Sequence, residues 1–324
     1  DAYADYCKSA FSSLHGRSGR LNFMLAPSAP QRCTPDLMAA CMDLAVEHGV
    51  PFHTHVLETK TQAVTGHEFY GKSLVAYFHD LGLLRRNTTF AHSVWVSDED
   101  MRLMGEAGMS VAHNAVSNQK LGAGIAPLRR LLDAGVTIGL GTDGVCSNDT
   151  ARIVDVMRVA GLVHSVSGPD HNKWVTADEI LRMATIGGAK TAMLEHVTGS
   201  LEVGKAADLL ILDLRSYPFM PFNDAAKHLV YAENGSSIET VMVAGRVVMQ
   251  DGRLTTVDEG AIFEEISELM PAYLAEHAEL ERRNSIFEPV MAEIHRRAAL
   301  RDIGMNRYQG DLPPFDGVNF RQNS

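Results

Sequence analysis

The chain predicts an α/β fold built on parallel strands, followed by a small separate sheet. Three observations carry this. Short apolar runs alternate with amphipathic stretches as far as residue 198, the pattern of strands joined by crossover helices. The runs are apolar throughout, as strands covered on both faces are. From Gly199 the rhythm changes to β segments separated by a Gly turn.

Taken in order, residues 21–26 read as a strand that Pro27-Ser28-Ala29-Pro30 breaks. Thr34 then caps a helix with Pro35 at its first position. Leu37, Met38, Cys41, Met42 and Leu44 mark its apolar stripe, and it stops near Gly49. Phe52–Val56 is a strand and residues 73–84 a helix. Thr88–His92 is the next strand, after which Ser97-Asp98-Glu99-Asp100 caps a helix ending at Gly108. Ser110–His113 is a strand, 126–134 a helix and 136–140 a strand, with helical material through Val163. These are five strands in all. Residues 209–213 and 238–248 form the later sheet, and 262–301 is helical and charged, a surface or subunit-contact element.

Composition bounds the function. The 324 residues allow one large α/β domain or two smaller ones. Hydrophobic residues make up 45%, enough for a substantial core. A net charge of -11, without a basic cluster interleaved with aromatics, argues against nucleic acid. Apolar runs stay shorter than the roughly 18 residues that would cross a membrane. Asp1-Ala2-Tyr3-Ala4-Asp5 lacks the basic and apolar regions of a signal peptide. It also lacks an initiator Met, so the chain reads as starting partway through something. Cys7, Cys33, Cys41 and Cys146 show no CxxC spacing, which predicts reduced thiols in a cytoplasmic protein.

Chemistry concentrates at strand ends. Phe52-His53-Thr54-His55-Val56-Leu57-Glu58 ends in His-x-x-Glu, Phe90-Ala91-His92 ends in a second imidazole, and Gly139-Leu140-Gly141-Thr142-Asp143-Gly144 ends in a carboxylate. Two imidazoles, a proton-carrying carboxylate and an aspartate are parts of a metal-dependent hydrolase. Each has a plainer reading: a buried hydrogen-bonded His55 or His92, a solvated Glu58, an Asp143 serving turn chemistry. His53 shares the face of His55 but lies deeper in the strand and reads as packed.

Six segments in order resemble the amidohydrolase superfamily, in the branch of cytosine deaminase, S-adenosylhomocysteine and methylthioadenosine deaminases, guanine-type deaminases and triazine hydrolases (chlorohydrolases). They are His55-Val56-Leu57-Glu58-Thr59; Ala91-His92; Val111-Ala112-His113-Asn114-Ala115-Val116-Ser117-Asn118-Gln119-Lys120-Leu121; Gly139 to Gly144; Met183 to Ala189; and Gly199 to Leu209. The resemblance implies a distorted TIM (β/α)8 barrel with a small flanking β-sandwich, and a site at the carboxyl ends of the strands. The chain would supply strands four to eight in residues 1–198, sandwich strands in 199–255 and a helical extension in 256–324. The family's His-x-His pair belongs to the first strand, which has no counterpart here. The expectation is therefore a fragment, or a chain completed by a separate N-terminal segment.

The resemblance also implies roles. His55 and Asp143 would ligate Zn²⁺, or Fe²⁺, since His/Asp ligation suits both. Glu58 would shuttle the proton, and His92 would polarise the attacking water or stabilise the tetrahedral intermediate. Asp143 would also bond that water. Ser28, Gln31, Trp95, His113 and Asn114 are candidate substrate contacts; shaping the loop after their strand is equally open to His113, Asn114, Ser117 and Asn118, and packing to Trp95. Ser28 stands where adenosine-type deaminases carry a His, which departs from purine-nucleoside recognition. The implied activity is hydrolysis of a C–N bond of a heteroaromatic ring (purine, pterin, pyrimidine or s-triazine) by metal-activated water. Loss of chloride or an alkylamine from a triazine is the alternative, and a non-catalytic partner chain a third reading. The expected partners are a small heterocyclic substrate and a second copy of the chain in a dimer.

Overall fold

The computed structural model describes residues 2–309; residues 310–324 of the expected helical extension lie outside the described residues. Four strands, β1 (Phe52–Val56), β2 (Thr88–His92), β3 (Ser110–His113) and β4 (Thr137–Leu140), form one parallel sheet in the order β1-β2-β3-β4. Helices Lys60–Tyr70 and Leu74–Asp80 cross from β1 to β2. Asp98–Glu106 crosses from β2 to β3, and Ala115–Lys120 with Leu128–Asp133 from β3 to β4. Sequential parallel neighbours joined by helices are the barrel type of α/β sheet. Among the described residues the sheet is open, not a closed barrel.

The fifth expected strand, at 21–26, is a correction. Only Leu25 pairs in parallel with Phe52. The Leu25 N–H donates to Pro51 O (3.1 Å) and the His53 N–H to Leu25 O (2.8 Å). The next ladder donor on this segment would be residue 27, and Pro27 has no N–H to give. The pairing shifts by one residue, and the His55 N–H reaches Ser28 O instead (3.1 Å).

Predicted caps form where the side-chain chemistry placed them. Thr34 accepts from Leu37 N at the head of Pro35–Glu47, and Ser97 with Asp100 closes a reciprocal capping box. The helix expected over 73–84 is shorter, Leu74–Asp80, because the chain turns at Gly82 with φ +68°. Helix Lys60–Tyr70 is not visible in the periodicity. Its polar and β-branched residues hide it, although Thr59 caps it by accepting from Gln62 N.

The core lies between the sheet and its helices. Phe52, Phe78 and Phe90 are fully buried, and Phe78 meets Phe90 edge-on at 5.2 Å. All five residues of β2 are buried, whereas in β1 only alternate ones are, so that His53 and His55 face a partly open side. This departs from strands covered on both faces. The later region forms a second sheet, antiparallel, of β5 (Leu209–Leu212), β6 (Ile238–Val243), β7 (Arg246–Gln250) and β8 (Arg253–Leu254). It is the small sheet expected outside the main domain. Helix Glu259–Asn284 buries none of its residues, while Glu288–Leu300 packs on Lys60–Tyr70. No described helix is long and apolar enough to cross a membrane.

Candidate metal centre

Register brings the site together. The β1–β2 pairing sets His55 beside Ala91 and Val56 beside His92. The two imidazoles therefore stack one step apart, with centroids at 5.6 Å and planes at 27°. Asp143 arrives from the loop after β4. Donor atoms of His55, His92 and Asp143 all lie within 4.8 Å of one another, a cluster able to hold a metal ion. His92 Nε2 also stands 3.9 Å from Glu58 Oε1 and 4.0 Å from Asp143 Oδ2.

The strand ends bend sharply to do this. Leu57, His92, Ser93 and Asp143 have φ of +54°, +71°, +50° and +62°. Such backbones are uncommon outside glycine and persist where surroundings over-determine them. Here the Val94 and Trp95 N–H groups both donate to Leu57 O at 2.9 Å, and Ser93 N donates to Val56 O at 3.2 Å. These bonds hold the turned peptides and stitch the loop after β2 to the loop after β1.

In each of the two imidazoles of the cluster, the nitrogen that faces it is selected by a bond on the opposite side of the ring. His55 Nδ1 lies 2.7 Å from Ser28 O, and His92 Nδ1 lies 2.8 Å from Asn118 Oδ1. A carbonyl oxygen only accepts, so each Nδ1 carries the proton and each Nε2 presents its lone pair. Ser117 Oγ donates to Asp143 Oδ2 (2.5 Å) and Gly144 N to Asp143 Oδ1 (2.7 Å). Burial alone would raise the Asp143 pKa. Those two bonds, with His92 and His55 nearby, outweigh it and hold the carboxyl below its usual value. Two lone-pair imidazoles and an ionised carboxylate fit a divalent metal.

The loop after β3 was read as loop-shaping or substrate-contacting. The structure gives it a definite job in Ser117 and Asn118, which orient Asp143 and His92. Their places four and five residues beyond the end of β3 were the available signal. Asn114 is buried too, with Nδ2 3.4 Å from His92 Nδ1. Its carbonyl oxygen sits so close to Gly141 that a Cβ there would lie at 2.3 Å, so only glycine admits this approach. His113 is 2% exposed and bonds His164, Nε2 to Nε2 at 3.0 Å. Burial first, then His164 and His92, pushes His113 well below the ordinary histidine pKa.

The remaining candidates separate. Trp95 is 1% exposed, donates Nε1–H to Ala123 O (2.7 Å) and meets Tyr308 at 5.0 Å. It is packed in the core, not in a pocket wall. Ser28 touches His55 through its main-chain oxygen, and its hydroxyl accepts from Arg32 Nη1 (3.3 Å). Gln31 is exposed in the turn Pro30–Arg32. His53 lies outside the cluster, with a ring centroid 6.5 Å from that of His55; burial and the two neighbouring histidines lower its pKa to about 4.

Side chains able to hold a metal ion, gathered at the carboxyl ends of parallel strands joined by helices, are the arrangement of barrel-type α/β proteins. The chain belongs to the amidohydrolase family, whose model matches residues 9–248. It is 38% identical over 247 residues to a 5'-deoxyadenosine deaminase of Methanosarcina mazei, covering 76% of this chain and 56% of that protein. It is 40% identical over 237 residues to a 5-methylthioadenosine/S-adenosylhomocysteine deaminase of Thermococcus onnurineus, covering 73% and 55%. Among solved structures it resembles the zinc complex of atrazine chlorohydrolase TrzN from Arthrobacter aurescens TC1, with TM-score 0.78, 29% identity, and 83% and 59% of the two chains covered. The chain thus spans little more than half the length of the curated relatives it matches.

Proposed function

We propose that this chain carries the catalytic end of a metal-dependent aminohydrolase acting on an aminated heteroaromatic ring, with residues 1–198 bearing the site. The observation that supports it is the His55–His92–Asp143 cluster with Glu58 beside it. His55 and Asp143 would hold Zn²⁺, with Fe²⁺ the other metal their chemistry suits. When bound, the metal lowers the pKa of a coordinated water to roughly 7 and so supplies the nucleophile. Glu58 takes the water's proton and hands it to the ring nitrogen as the carbon becomes tetrahedral. His92 Nε2, whose lone pair faces the space between Glu58 and Asp143, accepts a hydrogen bond from the attacking water and orients it. Glu58 then carries the hydroxyl proton of the adduct to its amino group, the C–N bond breaks as the carbonyl forms, and ammonia leaves.

The deaminase names among the relatives favour a purine nucleoside; Ser28 bears on the specificity end of that choice. The neighbouring triazine hydrolase favours a second reading, in which the same attack expels chloride or an alkylamine. The test is metal content after loading with Zn²⁺ or Fe²⁺, followed by assays on 5'-deoxyadenosine, methylthioadenosine and atrazine. Bound metal with ammonia release from the nucleosides is the expected result. Chloride release from atrazine alone would favour the second reading. Absence of metal binding at millimolar Zn²⁺ would overturn both for this chain.

A further inference from the structure

The loops bearing Glu58 and His92 are held from one side by their own bonds to each other. Their other side is held by the far end of the chain. Helix Glu288–Leu300 ends where Lys60 Nζ donates to Ala299 O at 2.6 Å, two residues beyond Glu58. The chain then runs on as a strap. Arg307 Nε donates to Val94 O at 3.0 Å and its Nη2 to Val96 O at 2.5 Å. Val94 and Val96 are 0% exposed, so their carbonyls depend on an internal donor. The planar guanidinium serves both from one fork, which a lysine does not. Arg307 O in turn accepts from Ile125 N at 2.8 Å. This closeness requires Gly124, whose φ is +117° and whose Cβ, if present, would lie 2.9 Å from that oxygen. Tyr308 meets Trp95 edge-on, and Lys60 Nζ lies 5.8 Å over the other ring of that contact, Trp95.

The end of that helix and the strap together touch the loop after β1 that carries Glu58, the loop that follows His92 at the end of β2, and the turn at Gly124–Ile125 beyond helix Ala115–Lys120, which bears the Asn118 that orients His92. We propose that Arg307 is a positioning residue for the Glu58–His92 pair: its fork pulls the loop after β2 into place through the Val94 and Val96 carbonyls. The inference rests on the aminohydrolase reading for its catalytic consequence only. A displacement of an ångström at a reacting group costs about a hundredfold in rate, so the effect belongs in kcat.

The test compares the full chain with Arg307→Met, which keeps the stem and removes the fork, and with Arg307→Lys, which keeps the charge. Amide hydrogen exchange is read at Ser93–Val96 and at 123–125, against the strands as an internal standard. Histidine-selective ¹⁵N shifts read the His92 tautomer, and turnover is resolved into kcat and KM. The expected result for Arg307→Met is at least about tenfold faster loop exchange with the strands unchanged, and loss of the single His92 tautomer. A kcat lowered roughly ten- to a hundredfold with KM held within about twofold is expected as well, and Arg307→Lys should fall between. Unchanged loop exchange, a faster exchange spread evenly over the strands, or a loosened loop with His92 and kcat unmoved would each overturn the proposal. If Arg307→Met fails to fold, the same readings on Arg307→Lys decide. A wild-type protein inactive on every substrate would sink the aminohydrolase reading, while the exchange and ¹⁵N readings would still decide the strap.

Discussion

The two sheets of this chain are built from similarly apolar residues and end in opposite states. In β2 every residue is buried, and the helices that join the parallel strands cover them. In β5, Leu210 and Ile211 are 51% and 47% exposed. Crossover links must lay a helix across a parallel sheet, whereas an antiparallel one can keep a face open to water; here the helical link between β5 and β6, residues 213–237, leaves Leu210 and Ile211 uncovered. Cover is what turns strand ends into a site: side chains there are locked by packing, and the loops between them bond to one another. The second sheet has a ladder but little packing, and the described site draws nothing from it.

The largest expected difference between the regions is catalytic. Glu58→Gln should keep metal content and lower kcat by about 10²- to 10⁴-fold, whereas any substitution on β5 should leave kcat unmoved; steady-state kinetics on metal-loaded protein checks both. Next comes packing. Phe90→Ala should cost about 3–5 kcal/mol in denaturant unfolding, since the ring is fully buried against Phe78. Ile211→Ala should cost under about 1 kcal/mol, and equal losses would end the contrast.

A third test is acid. His164 is 4% exposed, and burial lowers its pKa to about 4 from 6.5. A base whose folded pKa is depressed stays neutral in the fold while the unfolded chain takes up a proton. Its contribution is thus complete above pH 6.5 and is lost as pH falls toward 4. The acid limb of the stability curve should lose on the order of 2–3 kcal/mol over that window, and His164→Gln should flatten it. The smallest effect sharpens the site itself. Asn118→Ala should weaken metal binding by roughly 10- to 100-fold, read by competition with a chelating dye. An affinity equal to wild type would mean that His92 needs no partner at Nδ1.

Much of this was legible beforehand because it is local. The strands Phe52–Val56, Thr88–His92 and Ser110–His113 follow from apolar runs, and the helix starts at Thr34 and Ser97 from capping chemistry. His55, Glu58, His92 and Asp143 stand out because titratable groups close apolar runs. What was hidden is what depends on partners distant in sequence. The strand expected at 21–26 failed on one missing N–H at Pro27. For Trp95 substrate contact and packing stood equal, and what decides for packing is Tyr308 and Ala123, both remote in the chain. Ser117 and Asn118 looked like loop residues because nothing in a sequence says which carboxylate or imidazole a hydroxyl or an amide will meet.

The way His55 is held has a consequence for how such a site can change over generations. Its Nδ1 is bonded to the main-chain oxygen of Ser28, not to a side chain. That oxygen is present whatever residue occupies position 28. The neighbourhood of a bound ring can therefore be rewritten at position 28 while His55 keeps its orientation, whereas His92 depends on the one side chain at position 118. The first histidine tolerates drift beside it, and the second does not. New substrate preferences in a chain of this design would arise beside His55 sooner than beside His92.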